Sequence, residues 1–465
     1  MNIQHHFLKC LTTILALIGL ATVLAGCSGG DSNRHVPTVT FSNPANVMSI
    51  NLGQSLTLTW TSTFATSCTA SSSNNFSGAF SGSQATSGSV AVAPTATGSF
   101  TYMLNCTGAG GTGSATSATV TVNPSILSTL SKITTIGSTL DPLENGGNPY
   151  GLTIAPMSSG LISAGDLVVC NFNDGATNTQ GLGTTIVGLH PVAGATPYRI
   201  AQSPQLQGCS AIAMFQDDSI AASAFSSNLV PLVTSAGVVT NPFAADTFQG
   251  PWGQTYAAAT SSRSAALYVS SQTNGSIGRI TLSGDTQTGF VEIAKGFCGS
   301  GAPGGLFAPA GLTYDPSIDT LYIVDTSSYS VVAFANVSTI GADGIIVNGN
   351  CGGTTHTPTP ALTFTGASAT SAKVIASGGQ LNAPISAALL MDGTLAVANG
   401  DLDGPPINNL LFEISPAIGF VGAPIQLDNG VAAALFGLAA KVDSSGNQII
   451  YFNDDNDNTV KALSK

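Results

Sequence analysis

At 465 residues the chain is longer than one ordinary domain, only 7% of it is charged, and its formal net charge is −12 at pH 7. Gly, Ser, Thr and Ala dominate, a composition that suits many short strands and small-residue turns and argues against a helical protein. The positive charges are scattered singly, with no basic patch for a phosphate backbone, so nucleic-acid binding is disfavoured; an apolar fraction of 43% argues against disorder.

Residues 1–26 read as an export signal outside the fold. Lys9 supplies a positive start, and Leu11 to Ala25 is an apolar run of about 15 residues, short for a membrane span and right for a signal peptide. The run ends in Leu24-Ala25-Gly26-Cys27, which resembles the bacterial lipobox. The resemblance implies cleavage before Cys27, a diacylglycerol on its thiol, and a membrane partner through that lipid anchor. Ser28 stands where an Asp would favour inner-membrane retention, which implies a lipoprotein of the bacterial cell envelope sorted to the outer membrane. Residues 27–36 then form a polar tether.

An oxidising compartment makes disulfides the expected state of the remaining cysteines. Cys10 leaves with the signal and Cys27 is modified, so Cys68, Cys106, Cys170, Cys209, Cys298 and Cys351 remain. Pairing is not fixed by sequence, and proximity along the chain suggests Cys68–Cys106, Cys170–Cys209 and Cys298–Cys351. No C-x-x-C pair is present to support a zinc or thioredoxin-like site.

Residues 37–123 read as an all-β sandwich. Thr38 to Phe41, Ser55 to Trp60, Ser89 to Val92, Phe100 to Asn105 and Ala118 to Val122 alternate or run β-branched, separated by Asn, Gly and Pro clusters. The order Trp60, Cys68, Cys106 and the late pair TYMLNCTGAGGTGSATSATVTV resemble the Ig-like modules of bacterial surface proteins. Trp60 precedes the first Cys and Tyr102 lies four residues before Cys106, so the antibody disulfide and tyrosine corner do not carry over. The segment has no Asp, Glu, Lys, Arg or His. It therefore offers no acid, base or metal ligand, and reads as a spacer, with an adhesive or carbohydrate-binding module as the alternative.

Residues 124–465 repeat one pattern. After a linker and a strand at Ile133 to Gly137, six segments begin at Pro149, Gly208, Pro251, Pro309, Ala383 and Leu435. The Pro309 segment, PAGLTYDPSIDTLYIVDTSSYSVVAFANV, shows the pattern best, as three short β runs ended by Asp-Pro and Asp-Thr-Ser-Ser turns. The repeat resembles the NHL-type six-bladed β-propeller. The last segment has three evident strands, and Ile133 to Gly137 is expected to supply its fourth, closing the ring.

In such blades the second strands end on one rim, at Asn171, Ser271, Asp325, Asn399 and Asn453, with Asp174 beside them and Tyr150, Trp252, Phe307 and Phe436 on the approaches. An acidic, aromatic rim suits a cation, a sugar or a basic peptide, although Asp and Asn also simply favour turns. Two loops have the opening of a calcium loop, with oxygens at alternate positions and then a residue tolerant of positive φ: Asn399, Asp401, Asp403, Gly404 and Asn453, Asp455, Asp457, Asn458. Leu410 and Ser464 stand where an EF-hand has its bidentate glutamate, so calcium is a possible cofactor at an incomplete site. Six-bladed lactonases of the gluconolactonase type need a Glu, two Asn or Asp residues and a metal at the channel mouth. Here Glu144, Glu292 and Glu413 lie outside that motif, and His190 and His356 stand in different blades. The expected function is non-catalytic recognition of a glycan or protein ligand, with a metal-dependent lactonase or hydrolase as the alternative and a structural surface spacer as the third reading.

Overall fold

The computed structural model describes residues 34–73, 80–241, 243, 248–300, 307–348, 362–401, 408–430 and 434–465. Cys27, Cys351 and Asp403 lie outside them. The protein is all-β, with only short 3-10 turns besides strands among the described residues.

The N-terminal unit packs its sheets around one core that includes Leu58, Trp60, Phe80, Tyr102, Leu104 and Val120. Strict alternation builds it: in Leu56–Thr63 the side chains of Leu56, Leu58 and Trp60 are buried and their neighbours face outward. Phe80 lies edge-on to both Trp60 and Tyr102, with centroids 5.2 and 6.0 Å away. Cys68 and Cys106 sit opposite each other on paired strands and are bonded.

Beyond the linker the chain is propeller-like. Six sheets follow one another, and five of them start with the inner strands Gly147–Ile154, Cys209–Met214, Pro251–Ala257, Pro309–Asp315 and Pro384–Leu389. The inner strand of the sixth is Leu438–Val442, and its outer place is taken by Lys132–Ser138, which pairs antiparallel with Thr459–Ser464. The third sheet gains two further strands, Ile345–Asn348 and Thr363–Thr365, from the excursion between the third and fourth strands of the fourth sheet.

The repeated proline and glycine have a structural cause. Pro149, Pro251, Pro309 and Pro384 each pair with a polar residue at or near the end of the neighbouring strand, namely Asn171, Ser271, Asp325 and Asn399, and a register shift follows each proline. The shift is a bulge, which a residue without an N–H tolerates. Just after it the inner strand approaches the next one backbone to backbone. A Cβ on Gly253 would stand 1.9 Å from the Ala310 carbonyl oxygen, and one on Gly437 2.6 Å from that of Tyr150, so only glycine fits.

Bulged carbonyls need donors, and small polar side chains of adjoining sheets supply them. Ser210 Oγ donates to the Trp252 carbonyl at 2.9 Å, Ser270 Oγ to Ala310 at 3.0 Å and Thr313 Oγ1 to Ala387 at 2.7 Å. Ser386 Oγ reaches Leu435 at 3.4 Å, and Asn453 Nδ2 reaches the Pro149 and Gly151 carbonyls at 3.2 Å each. Between the first and second sheets the link is covalent, the Cys170–Cys209 disulfide. Cys298 is disulfide-bonded as well. The Ser- and Thr-rich composition is thus the chemistry of sheet-to-sheet contacts.

A candidate ligand channel closed at one end

The six inner strands enclose a cavity of about 380 Å³. Its walls are short or neutral side chains: Ser210, Gln254, Thr313 and Ser386 among Gly, Ala, Leu and Ile. Among the described residues that line it, none is Asp, Glu, His, Lys or Arg. Ser210, Gln254, Thr313 and Ser386 are hydrogen-bonded to the neighbouring sheets. Gln254 Nε2 donates to the Ala211 carbonyl at 3.2 Å and also to that of Ala221, while its Oε1 accepts from Ser223 Oγ at 3.2 Å.

One end is plugged. Tyr150, Phe172, Phe225, Trp252 and Phe436 form a buried aromatic cluster with Ala310 and Ile385. Tyr150 stacks between Phe172 and Phe436 with centroids 4.4 and 4.1 Å away, and Trp252 stands edge-on to Tyr150, Phe172 and Phe225 at 5.5–5.7 Å. The other end is open. Along the inner strands, exposure rises toward the C-terminal residues: Ile154, Thr255, Tyr256, Tyr314, Leu389 and Ala440 are half-buried where the strand starts are buried. Tyr256 and Tyr314 stand on adjoining sheets at this mouth, and Tyr314 Oη donates to Asp319 Oδ1 at 3.0 Å.

This geometry relocates the expected rim. Tyr150 and Trp252, 3% and 4% exposed, belong to the plug, because five large aromatic groups on one axis bury each other more favourably than any of them meets water. Asn171 and Ser271 are fully buried and Asp325 is 1% exposed, so they serve packing. Asn171 Nδ2 donates to the Thr139 carbonyl at 3.0 Å and to Thr185 Oγ1 at 3.2 Å. Asp325 accepts from Ser327 and Ser328, and burial raises its pKa despite them. Asp174 folds its own loop: its carboxylate accepts the Thr177 and Thr179 N–H groups at 2.8 Å each, and the Thr179 bond leads in holding its pKa below the ordinary value.

Among the described residues of the two expected calcium loops, the side-chain oxygens have other partners. Asn399 Oδ1 accepts the Asn382 N–H at 3.0 Å, and Asp401, 4% exposed, accepts the Asn409 N–H at 2.7 Å. In the second loop Asn453 reaches the first sheet, Asp455 faces Asn148, and Asp457 pairs with Lys461 at 2.9 Å. The strand ends at Asp454 and residues 455–458 form the turn after it, and the side chains of Asn453, Asp455 and Asp457 are each held by a different partner. No group of three or more His, Cys, Asp or Glu fit to hold a metal ion occurs among the described residues. Glu144 lies 3.6 Å from Arg199, and His190 hydrogen-bonds the buried Asp166 at 2.6 Å; neither lines the channel.

Asp455 is a half-buried carboxyl near the plug. Burial, and then the charge of Asp454, push it up to about 7. With its amide turned toward it, Asn148 donates to both carboxylate oxygens at 2.9 and 3.0 Å, joining the first and sixth sheets. A raised folded-state pKa means that the stability carried by the neutral form is full below the ordinary Asp value of about 3.9 and is lost as pH rises to about 7. Asp455→Asn is therefore expected to melt above wild type at pH 8 and level with it at pH 4. Equal offsets at both pH values would show that the carboxyl carries no such cost.

No family model matches the chain, and no curated protein does. Similar solved structures include a catalytically inactive virginiamycin B lyase from Staphylococcus aureus with quinupristin, at 13% identity and TM-score 0.40, covering 72% of this chain and 99% of that one. A gluconolactonase from Xanthomonas campestris is 12% identical with TM-score 0.46, covering 71% and 89%, and the calcium-binding protein regucalcin from Agrobacterium tumefaciens is 14% identical with TM-score 0.41, covering 71% and 93%. At these identities the likeness bears on neither the activity nor the ligand of this chain.

Phe172 and Phe225, two of the three plug rings that Trp252 touches, are absent from the sequence-based site. The signal was present in Phe172, which directly follows the strand-ending Asn171, and in Phe225, which follows Ala224 at the matching point of the second sheet.

Proposed function

We propose that the C-terminal domain is a non-catalytic binding module of a bacterial envelope lipoprotein, receiving an uncharged glycan, or an extended protein segment, at the open mouth of its channel. In this reading the six sheets are the blades of one ring closed by Lys132–Ser138, and the N-terminal unit is an Ig-like spacer that carries the ring away from a lipid on Cys27. The observation that supports it is the channel lining: free of Asp, Glu, His, Lys and Arg among the described residues, with Ser210, Gln254, Thr313 and Ser386 bonded to neighbouring carbonyls and two tyrosines at the mouth. General acid–base chemistry requires a titratable group within hydrogen-bond reach of the reacting atoms, and this wall offers none near neutral pH. Tyrosine rings facing a wet mouth suit the apolar faces of sugars.

A melting screen with neutral oligosaccharides, acidic oligosaccharides and lactones, each with and without calcium, tests the proposal. A neutral oligosaccharide is expected to raise Tm, by the linkage of binding to folding, and Tyr256→Ala is expected to abolish the rise. Hydrolysis of a lactone, with or without added calcium, would contradict it.

A further inference from the structure

Glu413 lies on Leu410–Ser415, the third strand of the fifth sheet, and is the one acidic side chain of that strand. It is 1% exposed. What covers it is the junction between the two domains. The Leu127 N–H of the linker donates to Glu413 Oε2 at 2.6 Å, and Ser125, 2% exposed, stands beside the same carboxyl. On the other side Thr394 Oγ1 lies 3.2 Å from Glu413 Oε1 and 2.7 Å from Asp392 Oδ1.

A threonine hydroxyl has one proton to give, and two carboxyl groups compete for it. The shorter contact goes to Asp392, which also accepts the Thr394 N–H at 3.1 Å and Asn51 Nδ2 at 3.2 Å. Three donors mark Asp392 as the ionised member. Glu413 Oε1 then faces a lone pair of the Thr394 oxygen, a repulsive contact unless the carboxyl itself brings the proton.

We propose that Glu413 is carried as the neutral acid, donating to Thr394, which donates to Asp392, and that this chain of bonds locks the N-terminal sandwich onto the fifth sheet. The sandwich's side of the contact is the turn from Asn51 to Gln54: Asn51 reaches the Asp392 carboxylate, Gln54 Nε2 donates to the Asp392 carbonyl at 3.0 Å, and the Gly53 carbonyl accepts from Ser415 Oγ. The chain enters the sandwich beside Thr38, paired with Thr63, at the far end of the strand that begins at Leu56, so the tether leaves from the end away from this contact. The strands that flank Glu413 present Ala396 and Val421 to it, and the charge that bears on it is that of Asp392, of like sign. Burial, the largest influence, raises its pKa above the ordinary glutamate value, and Asp392 adds to that against the hydrogen bonds of Leu127, Thr394 and Ser125.

The lock is therefore complete at acid pH and weakens as pH rises through the raised value. Glu413→Gln replaces the neutral acid with an amide of the same shape, with Nε2 donating to Thr394 and Oε1 accepting from Leu127. In the full chain, the variant is expected to melt level with wild type at pH 4 and above it at pH 8, while keeping the slow amide exchange of Leu127. The infrared difference between wild type and Glu413→Gln, followed upward from pH 4, is expected to keep the band of a protonated carboxyl group above the ordinary glutamate value, a readout that does not depend on the variant's stability. No such band, or a variant that melts below wild type at pH 8, would overturn the proposal.

Discussion

Trp252→Ala is expected to lower the stability of the C-terminal domain by about 3–5 kcal/mol, the usual cost of truncating a buried Trp to Ala. For a domain of this size that is a fall in Tm of about 5 °C. The indole touches three of the other four plug rings, at 5.5–5.7 Å between centroids, and each belongs to a different strand. Phe172 stands near the end of the second strand of the first sheet, Phe225 follows that of the second, and Tyr150 stands on an inner strand. Removing the indole leaves Phe225 without the ring partner it has in the plug and opens the axis from the second side. Phe64→Ala, at a side chain 59% exposed on the sandwich, is the control and is expected to change stability by no more than about 0.5 kcal/mol. Differential scanning calorimetry of the two variants separates the cases. Equal Tm values would mean that the aromatic cluster is a surface feature.

Much of the architecture is legible in the sequence because its punctuation is a backbone requirement. Pro149, Pro251 and Pro309, each two residues before a glycine, mark inner strands because the bulge needs a residue with no N–H and the next sheet needs one with no Cβ. Asn171, Asp325, Asn399 and Asn453 mark second-strand ends for the same local reason, and Lys132–Ser138 lies against Thr459–Ser464.

What the sequence does not disclose is which way the residues around the bulge point. Successive strand side chains face opposite sides, so a shift of one position sends a residue from rim to axis. The register shifts between Pro149 and Gly151 and between Pro251 and Gln254 put Tyr150 and Trp252 on the axis. Glu413 was hidden for a different reason. Its strand is the third of its sheet, and the linker N–H that meets its carboxyl and the sandwich turn beside it lie about 290–360 residues earlier in the chain. The two extra strands of the third sheet are likewise a long-range pairing, with Ala294 opposite Ile345, that no local pattern announces.

The asymmetry of the channel is the claim on which the functional proposal rests, and thiol labelling measures it directly. Ala440→Cys places a thiol at the half-buried mouth, and Ile385→Cys places one in the plug, where the native side chain is 4% exposed. Against a wild-type background, Ala440→Cys is expected to react with a maleimide as an exposed thiol does. Ile385→Cys is expected to react more slowly by at least about three orders of magnitude, since it waits for an opening that costs several kcal/mol. Comparable rates at the two positions would mean a channel open at both ends, and would contradict the account.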